Sequence, residues 1–182
     1  MKDHLCPGGQ MPDFTYDTPY AKGRRLSETL RQTSGKTALV FLRFYGCRLT
    51  KYDLMQYAAH AAEISAEGQL LVVLQSDPEL LRETLGEERL PFEVICDPTC
   101  ALYDAFDIQE AADDTAAFKD SVTKAKREAF LAAGIEGGAV EGRHLQMPAV
   151  FVMTPDGVLT AVRYGVSAGD SPDVEELLRL LK

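Results

Sequence analysis

The chain has 182 residues, 46% hydrophobic and 26% charged, with 28 Asp plus Glu against 19 Lys plus Arg for a formal charge of -9. This length suits a single domain, residues 1–182, with a core of its own, and the composition is that of a soluble globular protein. The acidic balance repels phosphate backbones and anionic lipid, no apolar run reaches membrane-spanning length, and the start, MKDHLCPGGQMPDF, has no signal-like apolar core; no nucleic acid, no membrane and a cytoplasmic location are therefore expected.

Residues 1–13 are rich in Gly and Pro and read as an N-terminal arm. Phe14 to Tyr16 suits a short edge strand, and Leu26 to Leu30 one or two helical turns. Ala38 to Leu42 is too apolar for a half-exposed strand and predicts a buried one. It leads through Arg43, Phe44, Tyr45 and Gly46 to Cys47. From there Leu54, Tyr57, Ala58, Ala61 and Ile64 share one face at helical spacing, predicting a helix to about Glu67, stopped by Gly68.

Leu70 to Leu74 is a second buried strand, and a helix between two such strands predicts parallel neighbours. Ser76-Asp77-Pro78 starts a helix that ends at Gly86. Phe92 to Cys96 is a third strand, and Asp97-Pro98 starts a helix through Phe106. This alternation predicts an α/β sheet. Residues 113–132 read as one Ala-rich helix, followed by the loop GIEGGAVEGRH. Ala149 to Met153, the turn Thr154 to Gly157, and Val158 to Tyr164 form a hairpin. Ser171-Pro172-Asp173 caps a last helix whose Val174, Leu177, Leu178 and Leu181 face inward.

Cys47 is the leading chemical candidate. A sulfur at a helix N-terminus meets unpaired backbone N–H groups and the positive end of the helix dipole, which favour the reactive thiolate. Thr50, one turn on, either donates its hydroxyl to that thiolate or bonds the backbone or solvent. Arg43 or Arg48 could polarise the sulfur. Arg43 is preferred, because a charge ending an apolar strand needs a partner, whereas Arg48 suits a solvated surface. Cys96 and Cys100 lie toward the strand ends where open α/β sheets gather their sites, so either could resolve an oxidised Cys47 or simply pack. Cys6 sits in the arm. Cys96, Cys100 and His144 match no usual metal spacing, so no metal and no cofactor are expected.

Four stretches, in order, resemble one family. Gly9-Gln10-Met11-Pro12-Asp13-Phe14 is similar to a "G-x-x-P-D-F" opening. Ala38 to Cys47 resembles its strand and active-site turn. Ile95-Cys96-Asp97-Pro98 with Tyr103-Asp104-Ala105-Phe106 resembles its third strand and following helix. Met147-Pro148-Ala149 to Met153, then Pro155-Asp156-Gly157, resembles its cis-proline strand and hairpin. The chain thus resembles the peroxiredoxin-like redoxins of the AhpC/TSA (alkyl hydroperoxide reductase/thiol-specific antioxidant) superfamily.

That resemblance implies an α/β thioredoxin-like fold: a central mixed sheet flanked by helices, with a helical insertion before a cis-Pro148 strand. Local sequence also allows a trans proline opening a strand. It implies an antioxidant oxidoreductase with Cys47 as nucleophile on a peroxide or disulfide. Cys100 or Cys96 would resolve it, or an external thiol reductant, a thioredoxin-like protein or small thiol. Met147, Pro148 and Tyr45 would bind substrate, Met147 offering a strand edge to a peptide, and a homodimer would be in character. The motif departs from its relatives. Cys47-Arg48-Leu49-Thr50 is C-x-x-T where thioredoxins have C-x-x-C. Phe44 stands where peroxiredoxins carry threonine in P-x-x-x-T-x-x-C. The closest pattern is the redoxin subgroup with "F-L-R-x-x-G-C-x-x-C". The lost second cysteine leaves another class open, a redoxin-fold binding module docking a protein partner beside Pro148.

Overall fold

The computed structural model describes residues 4–182. In chain order the elements are β1 (Thr15–Tyr16), β2 (Arg24–Arg25), α1 (Leu26–Leu30), β3 (Lys36–Phe41), α2 (Arg48–Ala59), α3 (Ala61–Glu67), β4 (Gly68–Leu74), α4 (Pro78–Leu85), β5 (Glu93–Cys96), α5 (Ala101–Ala105), α6 (Asp114–Phe118), α7 (Ser121–Ala132), β6 (Ala149–Met153), β7 (Leu159–Tyr164) and α8 (Val174–Leu181).

Five strands form one mixed sheet in the order β5-β4-β3-β6-β7. β3, β4 and β5 are parallel, whereas β6 and β7 run antiparallel. Strand side chains alternate in direction, and both faces here are covered, so the central strands must be apolar throughout. Leu39, Phe41, Leu71, Val73, Ile95, Phe151 and Met153 face one core. It is closed by Tyr16, Leu26, Leu30, Tyr103 and Phe106. Ala38, Val40, Leu42, Val72, Leu74, Val150 and Val152 face the other, closed by Leu54, Tyr57, Ile64, Leu81, Leu177 and Leu181. The sheet and its flanking helices are the thioredoxin-like fold. The C-terminal ends of β3, β4 and β5 meet the start of β6 along one edge, and the site lies there.

The N-terminal arm docks on the hairpin, with Gly8 N donating to Leu159 O and Met11 N to Gly157 O. Residues 1–3 of that arm lie outside the described residues. The expected edge strand at 14–16 is instead a two-stranded ribbon, β1 with β2, bridged to the main sheet where Asp17 meets Cys96.

Three helices differ from expectation. The helix to Glu67 is two, because His60 leaves helical geometry (φ −111°, ψ 20°) between α2 and α3. The helix over 113–132 is also two. The Asp120 carboxylate accepts from Thr123 N and starts a fresh helix after Lys119. The helix after Asp97-Pro98 begins only at Ala101, because Cys100 sits left-handed at φ 59° and Asp97 caps Ala101 N and Leu102 N.

The Met147–Pro148 bond is trans, since no peptide bond among the described residues is cis. Pro148 opens β6 as a buried strand-starting proline, its carbonyl accepting from Gly165 N. The missing Cβ of Gly165 gives the ring room, as a Cβ there would lie 2.7 Å from Pro148 Cγ.

Candidate active site

Beyond β3 the chain stays pinned to β4 for two more residues. Leu42 N donates to Val73 O, and Arg43 O accepts from Gln75 N at 3.3 Å. Arg43 is therefore held rigidly although it ends an apolar run, and only 4% of it is exposed. A turn closed by Cys47 N to Phe44 O reverses the chain into α2, with Cys47 as the residue ahead of the helix.

The sulfur accepts no hydrogen bond from the α2 amides. Arg43 supplies it, with Nη1 donating to Cys47 Sγ at 3.1 Å. The guanidinium lies between two rings, 5.2 Å from the Phe44 centroid and 5.1 Å from that of Phe118. Its Nη2 meets His144 twice, at the carbonyl oxygen and at Nδ1 (3.2 Å). His144 Nε2 in turn faces Asp114 Oδ1 at 3.4 Å. Burial lowers the Arg43 pKa, and the Cys47 sulfur opposes that shift. Arg43 Nε is buried and has no partner among the described residues. Among the described residues no carboxylate forms an ion pair with this guanidinium, so its charge is not neutralised beside the sulfur.

The loop after α7 covers this turn by main chain. Gly138 N donates to Gly46 O at 2.8 Å, and a Cβ on Gly46 would lie 2.1 Å from Ala139 O. Lys51 Nζ donates to Glu136 O from the other side. Cys47 is 8% exposed as a result. It belongs to one buried cluster with Phe44, Leu49, Ala111, Ala117, Phe130, Met147 and Ala168. Beside it lies a cavity of about 310 Å³ bounded by Arg43, Phe44, Cys47, Arg48, Phe118, Arg127, Phe130, Val140 and His144.

The family model described as the AhpC/TSA family matches residues 7–162. The chain belongs to the AhpC/TSA family. A search of the curated proteins finds no match. Among solved structures the chain is similar to peroxiredoxin 6 of Arenicola marina, at 16% identity and TM-score 0.65, covering 97% of this chain and 72% of that one. It is similar to a yeast mitochondrial 1-Cys peroxiredoxin at 14% identity and TM-score 0.64, covering 96% and 74%. It is likewise similar to peroxidoxin BcpB of Mycobacterium tuberculosis at 16% identity and TM-score 0.65, covering 98% and 97%.

Within this AhpC/TSA chain the other expected site residues fall in several places. Thr50 is buried in the first turn of α2, and no hydrogen bond joins it to Cys47 among the described residues. Met147 shares the buried cluster of Cys47, but its N–H is spent on Gln109 O. Ala111 N likewise donates to Leu145 O, so residues 109–111 occupy the edge that a substrate peptide would use. Tyr45 does not line the cavity. Its N donates to Ser76 Oγ and its ring lies 5.4 Å from Lys51 Nζ, against the core on the far side.

The four cysteines are all free thiols, and the two resolving candidates lie in packing clusters other than that of Cys47. Cys96 belongs to the core below α2 and Cys100 to the opposite core. Burial, with the Asp77, Asp17 and Glu141 charges adding, pushes the Cys96 thiol up to about 12. Burial also raises Cys100, against the pull of Arg143, and its Sγ donates to Gln75 Oε1. Cys6 is exposed on the N-terminal arm. Sequence reasoning missed His144, Phe118, Arg127 and Phe130. They come from the helical insertion and its loop, and no local signal ties them to Cys47.

Proposed function

We propose that this protein is a thiol-dependent peroxidase that uses Cys47 as its single redox cysteine and is recycled by a thiol from outside the chain. The observation that carries the reading is the 3.1 Å hydrogen bond from a buried, carboxylate-free guanidinium to the Cys47 sulfur. The same donor stabilises the thiolate before reaction and the oxygen that leaves during it. The thiolate attacks the terminal peroxide oxygen, the S–O bond forms and the O–O bond breaks. The peroxide proton passes to the leaving oxygen, which departs as an alcohol or water, and the sulfur is left as a sulfenate. The sulfenate takes a proton from solvent, an external thiol then forms a mixed disulfide with loss of water, and a second thiol releases Cys47.

Cover and edge together favour a peroxide over a protein disulfide. The loop leaves an opening suited to a small molecule, and residues 109–111 already fill the peptide edge. They argue equally against a module docking a partner beside Pro148. The yeast mitochondrial relative is described by a thiol-resolving mechanism via glutathione/thioredoxin systems, which fits a chain with no second cysteine at the site.

The test is one equivalent of hydrogen peroxide on the reduced protein, followed by dimedone trapping and peptide mass spectrometry. A sulfenate confined to Cys47, absent in Cys47→Ser and cleared by added thiol, is expected. Oxidation spread evenly over the cysteines, or none at Cys47, would end the reading.

A further inference from the structure

Around the Cys47 opening the walls and the charges are sorted. Phe44, Leu49, Phe118, Phe130 and Val140 supply an apolar surface. Every charged side chain that lines the cavity is an arginine: Arg43 at the bottom, Arg48 and Arg127 at the exposed mouth. Asp and Glu outnumber Lys and Arg in this chain, yet among the described residues no carboxylate lines the opening.

Four arginines elsewhere are neutralised, whereas Arg31, Arg82, Arg89 and Arg179 have no carboxylate ion pair among the described residues and do not line this cavity. Arg24 pairs with Glu93, Arg25 with Asp13, Arg143 with Asp104, and Arg163 with Asp170 and Glu176. Arg48 and Arg127 have no carboxylate partner among the described residues. Arg48 lies over the Phe130 ring at 5.9 Å, and Arg127 is one turn back along α7 from Phe130. Two guanidiniums therefore flank an aromatic wall that leads down to the sulfur.

We infer that the cavity takes an organic hydroperoxide with an apolar body and a carboxylate, the acid held by Arg48 and Arg127 and the peroxide delivered to Cys47. This rests on the peroxidase reading and narrows its substrate class. The physical basis is that guanidiniums match carboxylates two hydrogen bonds at a time, while the neighbouring rings remove apolar surface from water. Positive charge focused at the mouth of a cavity in an acidic protein also draws an anion toward it. The chemistry is the step already written: the S–O bond forms, the O–O bond breaks, and the carboxylate-bearing alcohol leaves with the peroxide proton.

The test compares rates of Cys47 oxidation by cumene hydroperoxide, by its ring-carboxylated analogue and by the methyl ester of that analogue. About a threefold to fivefold preference for the free acid over the ester is expected, the size of one exposed charge-assisted contact. The ratio should fall toward unity in the Arg48→Gln/Arg127→Gln variant and shrink with added salt. Equal rates for acid and ester in the wild-type protein overturn the inference and leave the peroxidase intact.

A second measurement does not need turnover. The carboxylated cumyl alcohol is titrated by calorimetry into Cys47→Ser protein, whose arginines are unaltered. Saturable binding that the double arginine variant weakens supports the site. If that binding is seen while no peroxide oxidises Cys47, the peroxidase reading fails but the carboxylate site stands. No binding, with the ester and acid equal in rate, removes the site.

Discussion

Arg43 and Cys47 are four residues apart in sequence and joined side chain to side chain, Nη1 to Sγ at 3.1 Å. The bond needs both ends fixed. Strand pairing holds the Arg43 backbone, and the rings of Phe44 and Phe118 hold its guanidinium. Lysine keeps the charge but loses the fork that reaches Cys47 and His144 together. Arg43→Lys should therefore slow peroxide oxidation of Cys47 by about ten- to a hundredfold, the value of a hydrogen bond to a charged group of roughly 1.5–3 kcal/mol. Stopped mixing with mass-spectrometric detection of the sulfenate measures it, and an unchanged rate would remove Arg43 from the chemistry.

The separation of the cysteines predicts the oxidised products. Cys47, Cys96 and Cys100 occupy three different packing clusters. Treating the protein with peroxide and no thiol should give sulfenic and then sulfinic acid at Cys47, with no Cys47–Cys96 or Cys47–Cys100 disulfide on non-reducing peptide maps. Cys96→Ala and Cys100→Ser should both still turn over when external thiol is present.

High pH should expose two buried acids. Burial pushes Cys96 from an ordinary 9.0 to about 12, and burial with the Glu93 hydrogen bond takes Tyr16 from 10.0 to about 12. Each folded value lies above the unfolded one, so the folded protein holds protons that the unfolded chain releases. Their contribution is complete below about pH 9 and is lost as pH rises toward 12. Each group should cost about 1.4 kcal/mol per pH unit within its window. Urea midpoints between pH 8 and 11 test this, and Cys96→Ala should flatten the first part of the decline.

Much of this architecture is written locally. The alternation hidden in Ala38 to Leu42 and Leu70 to Leu74 is plain once both faces of the sheet are known to be covered. Asp77 and Asp173 cap the helices that their positions announce. What failed was continuity. His60 and Asp120 interrupt helical patterns that look unbroken, although Asp120 is itself a readable cap residue overridden by the Ala-rich run around it. The site was half legible. Cys47 and Arg43 sit within one turn of each other, but His144 meets Arg43 from 101 residues away, and only folding brings the insertion over the turn. The trans Pro148 shows the limit of resemblance, since the motif around it does not by itself set the isomer.

A buried ion pair ties α2 to the insertion. Lys126 Nζ lies 2.8 Å from Asp53 Oδ1, and both bond Ser171. Burial raises the Asp53 carboxyl while Lys126 lowers it. Lys126→Met leaves that carboxylate unpaired and should cost roughly 3–5 kcal/mol. Asp53→Leu/Lys126→Met should recover much of the loss in chemical denaturation. A single variant no weaker than the double would show that the pair is not coupled.

Gly46→Ala places a methyl group 2.1 Å from Ala139 O. The loop must shift, at an overpacking cost of roughly 1–3 kcal/mol. Cys47 should then react faster with a bulky maleimide relative to iodoacetamide. An unaltered ratio of the two rates would mean that the loop does not limit access.

That seal over Cys47 is made of peptide groups, with Gly46, Gly138 and the Ala139 carbonyl meeting without any side chain between them. Backbone fits backbone whatever residues the loop displays outward. The covering segment can therefore change its outward chemistry, at Val140 or Glu136 for instance, while the lid keeps its shape. Selectivity for what reaches the sulfur and protection of the sulfur from bulk solvent are thus written in different atoms, and each can drift without dragging the other along.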